Sequence, residues 1–198
     1  MLYSLIIAIA ATYANDNVIL MPASIKKPEL TVEEWFQNLN QAKETKTKLH
    51  LYFQDFMGGQ NCTVWKVAES EITSNSPTHF GKVSMVDDLL TVGPEPDSEI
   101  VGRAQGIVGY SDLHDTAVHM SLNIVFTEGK YNGSTITMMG RNTIYEKDRE
   151  LSIVGGTGVF RMARGVAVTN TYSVDLATDY AVIEYTLFKL EILNDSRR

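Results

Sequence analysis

The chain has 198 residues, 44% hydrophobic and 21% charged, which is enough apolar material for one sizeable core and too little charge for a disordered protein. Its 24 acidic residues outweigh 17 lysines and arginines, and the net charge of −7 argues against a nucleic-acid binder held by charge. A single cysteine, Cys62, excludes an internal disulfide framework and a cysteine-rich zinc site, and none of the four histidines sits at the i, i+4 spacing of a helical metal pair.

Met1–Ala14 (MLYSLIIAIAATYA) is uncharged and apolar and ends in small residues around Tyr13, the pattern of a secretory leader cut after Ala14. It lacks the usual basic start, so a shortened leader or a buried terminal element stands as the alternative. The run is shorter than the ~20 residues a spanning helix needs. Asn-x-Ser/Thr acceptors at Asn61, Asn132 and Asn194 favour secretion, and Asn61 and Asn132 fall in turn-like sequence where a glycan can be carried. Residues 15–48 read as an N-terminal arm with a short helix, opened by a Thr31–Glu34 capping box and striped by Trp35, Phe36 and Leu39.

From Leu49 the pattern becomes β-rich. Strands are expected at 49–57, 63–71, 79–90, 99–110, 116–127, 133–141, 149–154, 160–173 and 179–192, with a polar tail at 193–198. Gly58-Gly59-Gln60-Asn61, Asn75-Ser76-Pro77, Gly93-Pro94, Asn132-Gly133 and Gly155-Gly156-Thr157-Gly158 supply the turns between them. Successive strands without intervening helices predict an all-β fold, an antiparallel meander closed as an eight-stranded barrel over 49–192. A barrel of that size is wide enough to hold one small ligand.

On the first strand, alternation puts Leu49, Leu51, Phe53 and Asp55 on one face, so a carboxylate ends an apolar stripe. Inside the barrel its pKa would rise and suit it to proton exchange; at the rim it would be solvated or cap the Gly58-Gly59 turn. Gly155-Gly156-Thr157-Gly158 resembles a dinucleotide loop, but Arg161 occupies the third glycine position and too little chain follows for a doubly wound fold. His114 and His119, five apart, face opposite ways on a strand and read as surface residues, and the adjacent Asp87 and Asp88 also point apart. Arg161 and Arg164 read as partners of local carboxylates.

The ordered segments LHLYFQDFMGG (49–59), FGKVSMVDDLLTVGPEP (80–96), VGRAQG (101–106), NIVFTEGKYNGST (123–135), GRN (140–142) and RELSIVGGTGVFRMARG (149–165) together resemble the plant dirigent family over roughly residues 31–192. The likeness is to the broad group without the cysteine pair of the lignan-forming branch. It implies an eight-stranded antiparallel barrel, usually a homotrimer, secreted to the apoplast and often glycosylated, with no redox centre or other cofactor of its own. A separate laccase or peroxidase makes phenoxy radicals, and the barrel steers their coupling. Some relatives instead act on a quinone methide, where an acidic side chain assists water loss or ring closure.

The resemblance favours an inward role for Asp55, assigns Tyr110 to orienting a substrate oxygen and makes Arg149 a stabiliser of phenolate. Phe53 and Val108 would line the same space. Asn142 stands where the pinoresinol-forming branch has a second aspartate; it can hydrogen-bond but not exchange a proton, which counts against pinoresinol formation. The leading expectation is stereoselective phenoxy coupling in lignan-type biosynthesis, for which 99:1 selectivity needs only about 2.7 kcal/mol between transition states. The alternatives are a dehydrating, ring-closing enzyme like the pterocarpan synthases, with Asp55 and Arg149 catalytic, and a defence protein that binds a phenolic unchanged.

Overall fold

A computed structural model of the chain describes residues 31–193. Thr31 caps a short helix, α1 (Val32–Gln37): the Glu34 amide donates to Thr31 Oγ1 at 3.2 Å and the Thr31 amide donates back to Glu34 Oε2 at 2.9 Å. That reciprocal pair is the capping box expected from Thr31-Val32-Glu33-Glu34. The helix buries none of its residues, and Trp35 meets the barrel through the Arg161 guanidinium, 5.6 Å from its ring centre.

Nine strands follow among the described residues: β1 (Lys43–Phe56), β2 (Val64–Ala68), β3 (Val83–Thr91), β4 (Ile100–Tyr110), β5 (Ala117–Phe126), β6 (Thr135–Thr143), β7 (Arg149–Thr157), β8 (Arg164–Asp175) and β9 (Tyr180–Leu193). They hydrogen-bond in the order β1-β9-β8-β7-β6-β5-β4-β3-β2, every pair antiparallel, and β1 also pairs with β3. The β1–β3 contact closes an eight-stranded barrel and leaves the short β2 to continue β1's wall along β3. Closure pairs Tyr52–Gln54 of β1 with Leu89–Thr91 of β3 and so covers part of the edges that an open sheet would carry, while β2 keeps one open edge among the described residues.

The joint between β1 and β2 is made by Thr63. Its amide donates to Phe56 O at 2.8 Å, its carbonyl accepts from the Asp87 amide at 2.9 Å, and its hydroxyl accepts from the Phe56 amide at 3.1 Å. Residues 57–62 loop outward between these anchors.

Several boundaries differ from those expected, each for a stated reason. β1 begins at Lys43, not Leu49, because the whole of Lys43–Phe56 pairs with β9; the arm therefore ends sooner than 48. Gly155, Gly156 and Thr157 extend β7 instead of turning, because β6 presses against them: a Cβ on Gly156 would lie 2.4 Å from Thr135 O. The turn starts at Gly158, whose φ of +63° and contact with Ser134 leave no room for a side chain. β8 starts at Arg164, not 160, since Phe160 swings into the barrel. The leader, residues 15–30, Asn194 and the rest of the tail lie outside the described residues.

The core is the barrel interior: Leu51, Phe53, Leu90, Leu122, Ile124, Ile136, Met138, Leu151, Tyr185 and Leu187 all point inward and are almost fully buried. β4 contributes the small wall. Gly102, Ala104 and Gly106 face in, and a Cβ on Gly102 would come 2.0 Å from Val125 O, so the spacing of the VGRAQG segment reflects the close approach of β5.

One end of the barrel is plugged. Phe160 is fully buried, its ring 4.9 Å from Tyr131 and 5.4 Å from Phe126 by centroid, with Lys189 Nζ 4.1 Å from its centre. At the opposite end the inward residues Asp55, Val108, Tyr110, Ile144 and Ile183 are only half-buried, so solvent reaches them from that side.

Candidate functional site

The half-open end gathers polar side chains from seven strands. Asp55 ends the inward stripe of β1, and the register that pairs Gln54 with Leu89 brings Asp55 across from Asp88 on β3. Tyr110 of β4, Val118 of β5 and Asn142 of β6 are direct cross-strand neighbours. Arg149 of β7, Thr169 of β8, Tyr185 of β9 and Leu51 of β1 form a second such row. The fold thus brings Asp55, Tyr110, Asn142, Arg149, Phe53 and Val108 to one interior. The two readings left open for Asp55 resolve toward the inside.

Asp55 Oδ1 is a buried oxygen without a hydrogen-bond partner, and burial pushes its carboxyl up to about 6. Asp88 is almost fully buried and is pushed up to about 8, by burial first and by the Asp55 charge second, against the opposing effects of the Thr63 hydroxyl at 2.6 Å and of Arg103. The two carboxyls lose their protons in steps that belong to the pair, and near neutral pH they hold about one proton between them.

Sequence reasoning missed Asp88. It correctly separated Asp88 from Asp87, which turns outward to Arg103 at 2.5 Å, but it had no view of the partner across the barrel.

Arg149 is buried and forms no ion pair among the described residues. Its Nη1 donates to Ile144 O at 2.5 Å, to Glu146 O at 3.3 Å and to Thr171 Oγ1 at 3.1 Å, while its Nε has no acceptor. Burial lowers its pKa, but a guanidinium stays charged at any physiological pH. A fixed cation with a donor unused is suited to an anion or a developing oxyanion.

Asn142 donates through Nδ2 to Met120 Sδ at 3.0 Å and leaves Oδ1 buried without a donor. Tyr110 stands with His79 edge-on at 5.7 Å and Lys82 5.5 Å from its ring centre; burial, Tyr145 and Asp55 raise its pKa and keep the phenol protonated. Phe53 lies deeper, stacked on Tyr185 at 4.0 Å, and supports that phenol from below. Val108 is half-buried between Ser84 and Met120.

Other candidates fall outside this interior. His114 and His119 are exposed, and Arg164 pairs with Glu44. Asn61 is exposed in the loop after β1, whereas Asn132 is half-buried behind the 129–131 turn.

At the plugged end, Lys189 and Glu191 form a buried ion pair of 2.5 Å, with Thr47 donating to the second carboxylate oxygen at 2.7 Å. The alternation Tyr185, Leu187, Lys189, Glu191 puts both charges on the inward face, a signal present in the sequence and not used.

The family model for "Dirigent-like protein" matches residues 46–189, the span from early β1 to the plugged end of β9. The chain belongs to the dirigent family. Among its relatives, Dirigent protein 21 of Arabidopsis thaliana is 46% identical over 142 residues, covering 72% of this chain and 75% of that protein. Pterocarpan synthase 1 of Glycine max is 44% identical over 147 residues, covering 74% and 79%. The solved structure of the pterocarpan synthase dirigent protein GePTS1 superposes with a TM-score of 0.68 at 41% identity, covering 75% of this chain and 86% of that one. As a dirigent protein, the chain has the family's barrel, and the acid and guanidinium described above face its interior.

Proposed function

We propose that this dirigent protein binds a phenol that bears a hydroxyl on a benzylic carbon, expels that hydroxyl as water, and guides closure of the resulting quinone methide by a second hydroxyl of the same molecule. The observation that carries this reading is the unpartnered Asp55 oxygen inside a barrel whose opposite wall holds an unpaired, buried Arg149. Asp55 gives a proton to the leaving hydroxyl, and the C–O bond breaks as water departs. Arg149 Nε stabilises the phenolate that pushes electrons toward the methide carbon. The second hydroxyl then adds to that carbon, its proton passes to carboxylate, and the ring oxygen regains a proton. The net change is loss of one water. The resemblance to pterocarpan synthases at over 40% identity supports the same reading.

Steering of phenoxy radicals made by a separate laccase or peroxidase needs the aromatic walls of this interior but no proton exchange, so it leaves the acid at Asp55 unexplained. The test is the full chain incubated with racemic phenolic benzylic alcohols without oxidant, then with laccase, each product resolved by chiral chromatography. Ring-closed product without oxidant, with kcat lowered roughly 10²–10⁴-fold by Asp55→Asn, is the expected result. A changed enantiomer ratio seen only with laccase would replace it by the coupling reading, and saturable binding without product in either arm would leave a binding protein.

We infer in addition that the chain is secreted to the cell wall and acts as a homotrimer. The leader-like Met1–Ala14 and the exposed acceptor Asn61 support secretion. The outward row Trp65, Met85 and Ile107, continued past Ser121 to Met139, exposes large apolar side chains and supports self-association.

A further inference from the structure

We propose that Asp88 is the proton-sharing partner of Asp55, a second acid–base group facing it across the β1–β3 seam, and that the Thr63 hydroxyl sets how tightly the shared proton is held. The inference rests on the proposed dehydration for its chemistry, but the pair itself is set by geometry. β1 and β3 touch only at the barrel's closing seam, and the register there brings Asp55 and Asp88 together. Thr63, which joins β1 to β2, spends an acceptor site on the Phe56 amide at 3.1 Å and so directs its own proton to Asp88 Oδ1 at 2.6 Å.

Two facing carboxyls with one proton do what a single aspartate cannot. One protonates the departing hydroxyl while the other, already ionised, accepts the phenol's proton; on ring closure the roles reverse, with the nucleophile's proton entering and the ring oxygen's proton leaving. The charge on the pair is the same at the start, after water loss and at the end, so no net charge is created in a poorly solvated space.

The groups that bear on the pair are Tyr110 from β4, Tyr185 from β9, Arg103 from β4 and Asp87 from β3, with Arg149 of β7 acting on Tyr185 and Tyr145 acting on Tyr110 from the β6–β7 turn. The tyrosines stay neutral well above the range in which the pair titrates, Arg103 and Asp87 offset one another outside the barrel, and Arg149 stays charged throughout.

The test measures kcat against pH for the full chain without oxidant, beside carbon-13 titration of the aspartate carboxyls by NMR. In the wild type, turnover falls on the alkaline side near pH 8, where the pair loses its last proton. Asp88→Asn moves that limb acidward by about one pH unit or more and leaves Asp55 titrating in a single step. Thr63→Val removes the donor to Asp88 and moves the limb the other way, which a merely structural role for either residue would not do.

A limb that stays put in both variants, or an Asp55 carboxyl that titrates alone in the wild type, overturns the proposal. Should Asp88→Asn fail to fold, Thr63→Val and the wild-type titration decide it. If the wild type turns over no benzylic alcohol, the dehydration reading falls, and the two-step or one-step carboxyl titration still decides whether the pair exists.

Discussion

Asp88→Asn stabilises the fold above neutral pH, and the size of the effect follows from the burial of one charge. An aspartate in the unfolded chain takes up its proton near 3.8, whereas Asp88 in the barrel does so near 8. Between those values the native state binds more protons than the unfolded state, so this group's contribution to stability falls as the pH rises through that window and is most favourable below about pH 4. The difference between those two values, at roughly 1.4 kcal/mol for each tenfold change in proton affinity, sets an upper bound near 6 kcal/mol.

Relaxation of protein dipoles and water around the charge leaves about 2–3 kcal/mol of that penalty at pH 8. Asparagine avoids the charge, still accepts from Thr63 and offers its amide to Asp55, so the expected gain is about 2 kcal/mol, or roughly 4–8 °C in Tm for a chain of this size. Thermal unfolding of wild type and variant is compared at pH 4 and pH 8 by circular dichroism. The comparison at each pH cancels groups such as Asp112, whose lowered pKa acts in the opposite sense in both proteins. Equal Tm differences at the two pH values, or a variant less stable at pH 8, would refute the reasoning.

At the plugged end, Lys189→Met leaves Glu191 buried without its ion-pair partner and lowers unfolding free energy by about 3–5 kcal/mol in urea titration, while the double change Lys189→Met, Glu191→Leu recovers most of that loss; a single variant within about 1 kcal/mol of wild type contradicts the ion pair's burial. Gly102→Ala forces a Cβ against Val125 O and parts the β4–β5 ladder, so it loses at least about 2 kcal/mol and exposes β4 amides to hydrogen exchange; unchanged protection there would disprove the close approach.

Local chemistry made some of this structure readable and long-range register hid the rest. The capping box at Thr31 depends on residues three apart, and it forms as written. The alternation Leu49, Leu51, Phe53, Asp55 is a property of one strand, and it correctly put the acid on the apolar face. The adjacent Asp87 and Asp88 likewise diverge as a strand requires. What Asp88 meets depends on how β3 slides against β1, and no short window of sequence encodes that offset.

The early start of β1 was hidden for a related reason: Lys43–Lys48 is too polar to announce a strand and is held by its partner β9. Gly155 and Gly156 carry turn chemistry, yet tertiary crowding by β6 keeps them extended. Phe53 fell on the expected face, but its stacking under Tyr185 makes it a floor and not a wall.

For the proposed dehydration, the plug of Phe126, Tyr131 and Phe160 has a kinetic consequence. A vessel stoppered at its base has a single doorway, so whatever is made inside must retreat along the path by which its precursor arrived. Under that reading, product and precursor would exclude one another from the same volume, the former would inhibit competitively, and the speed of its departure would set a ceiling on turnover however fast the bonds are remade.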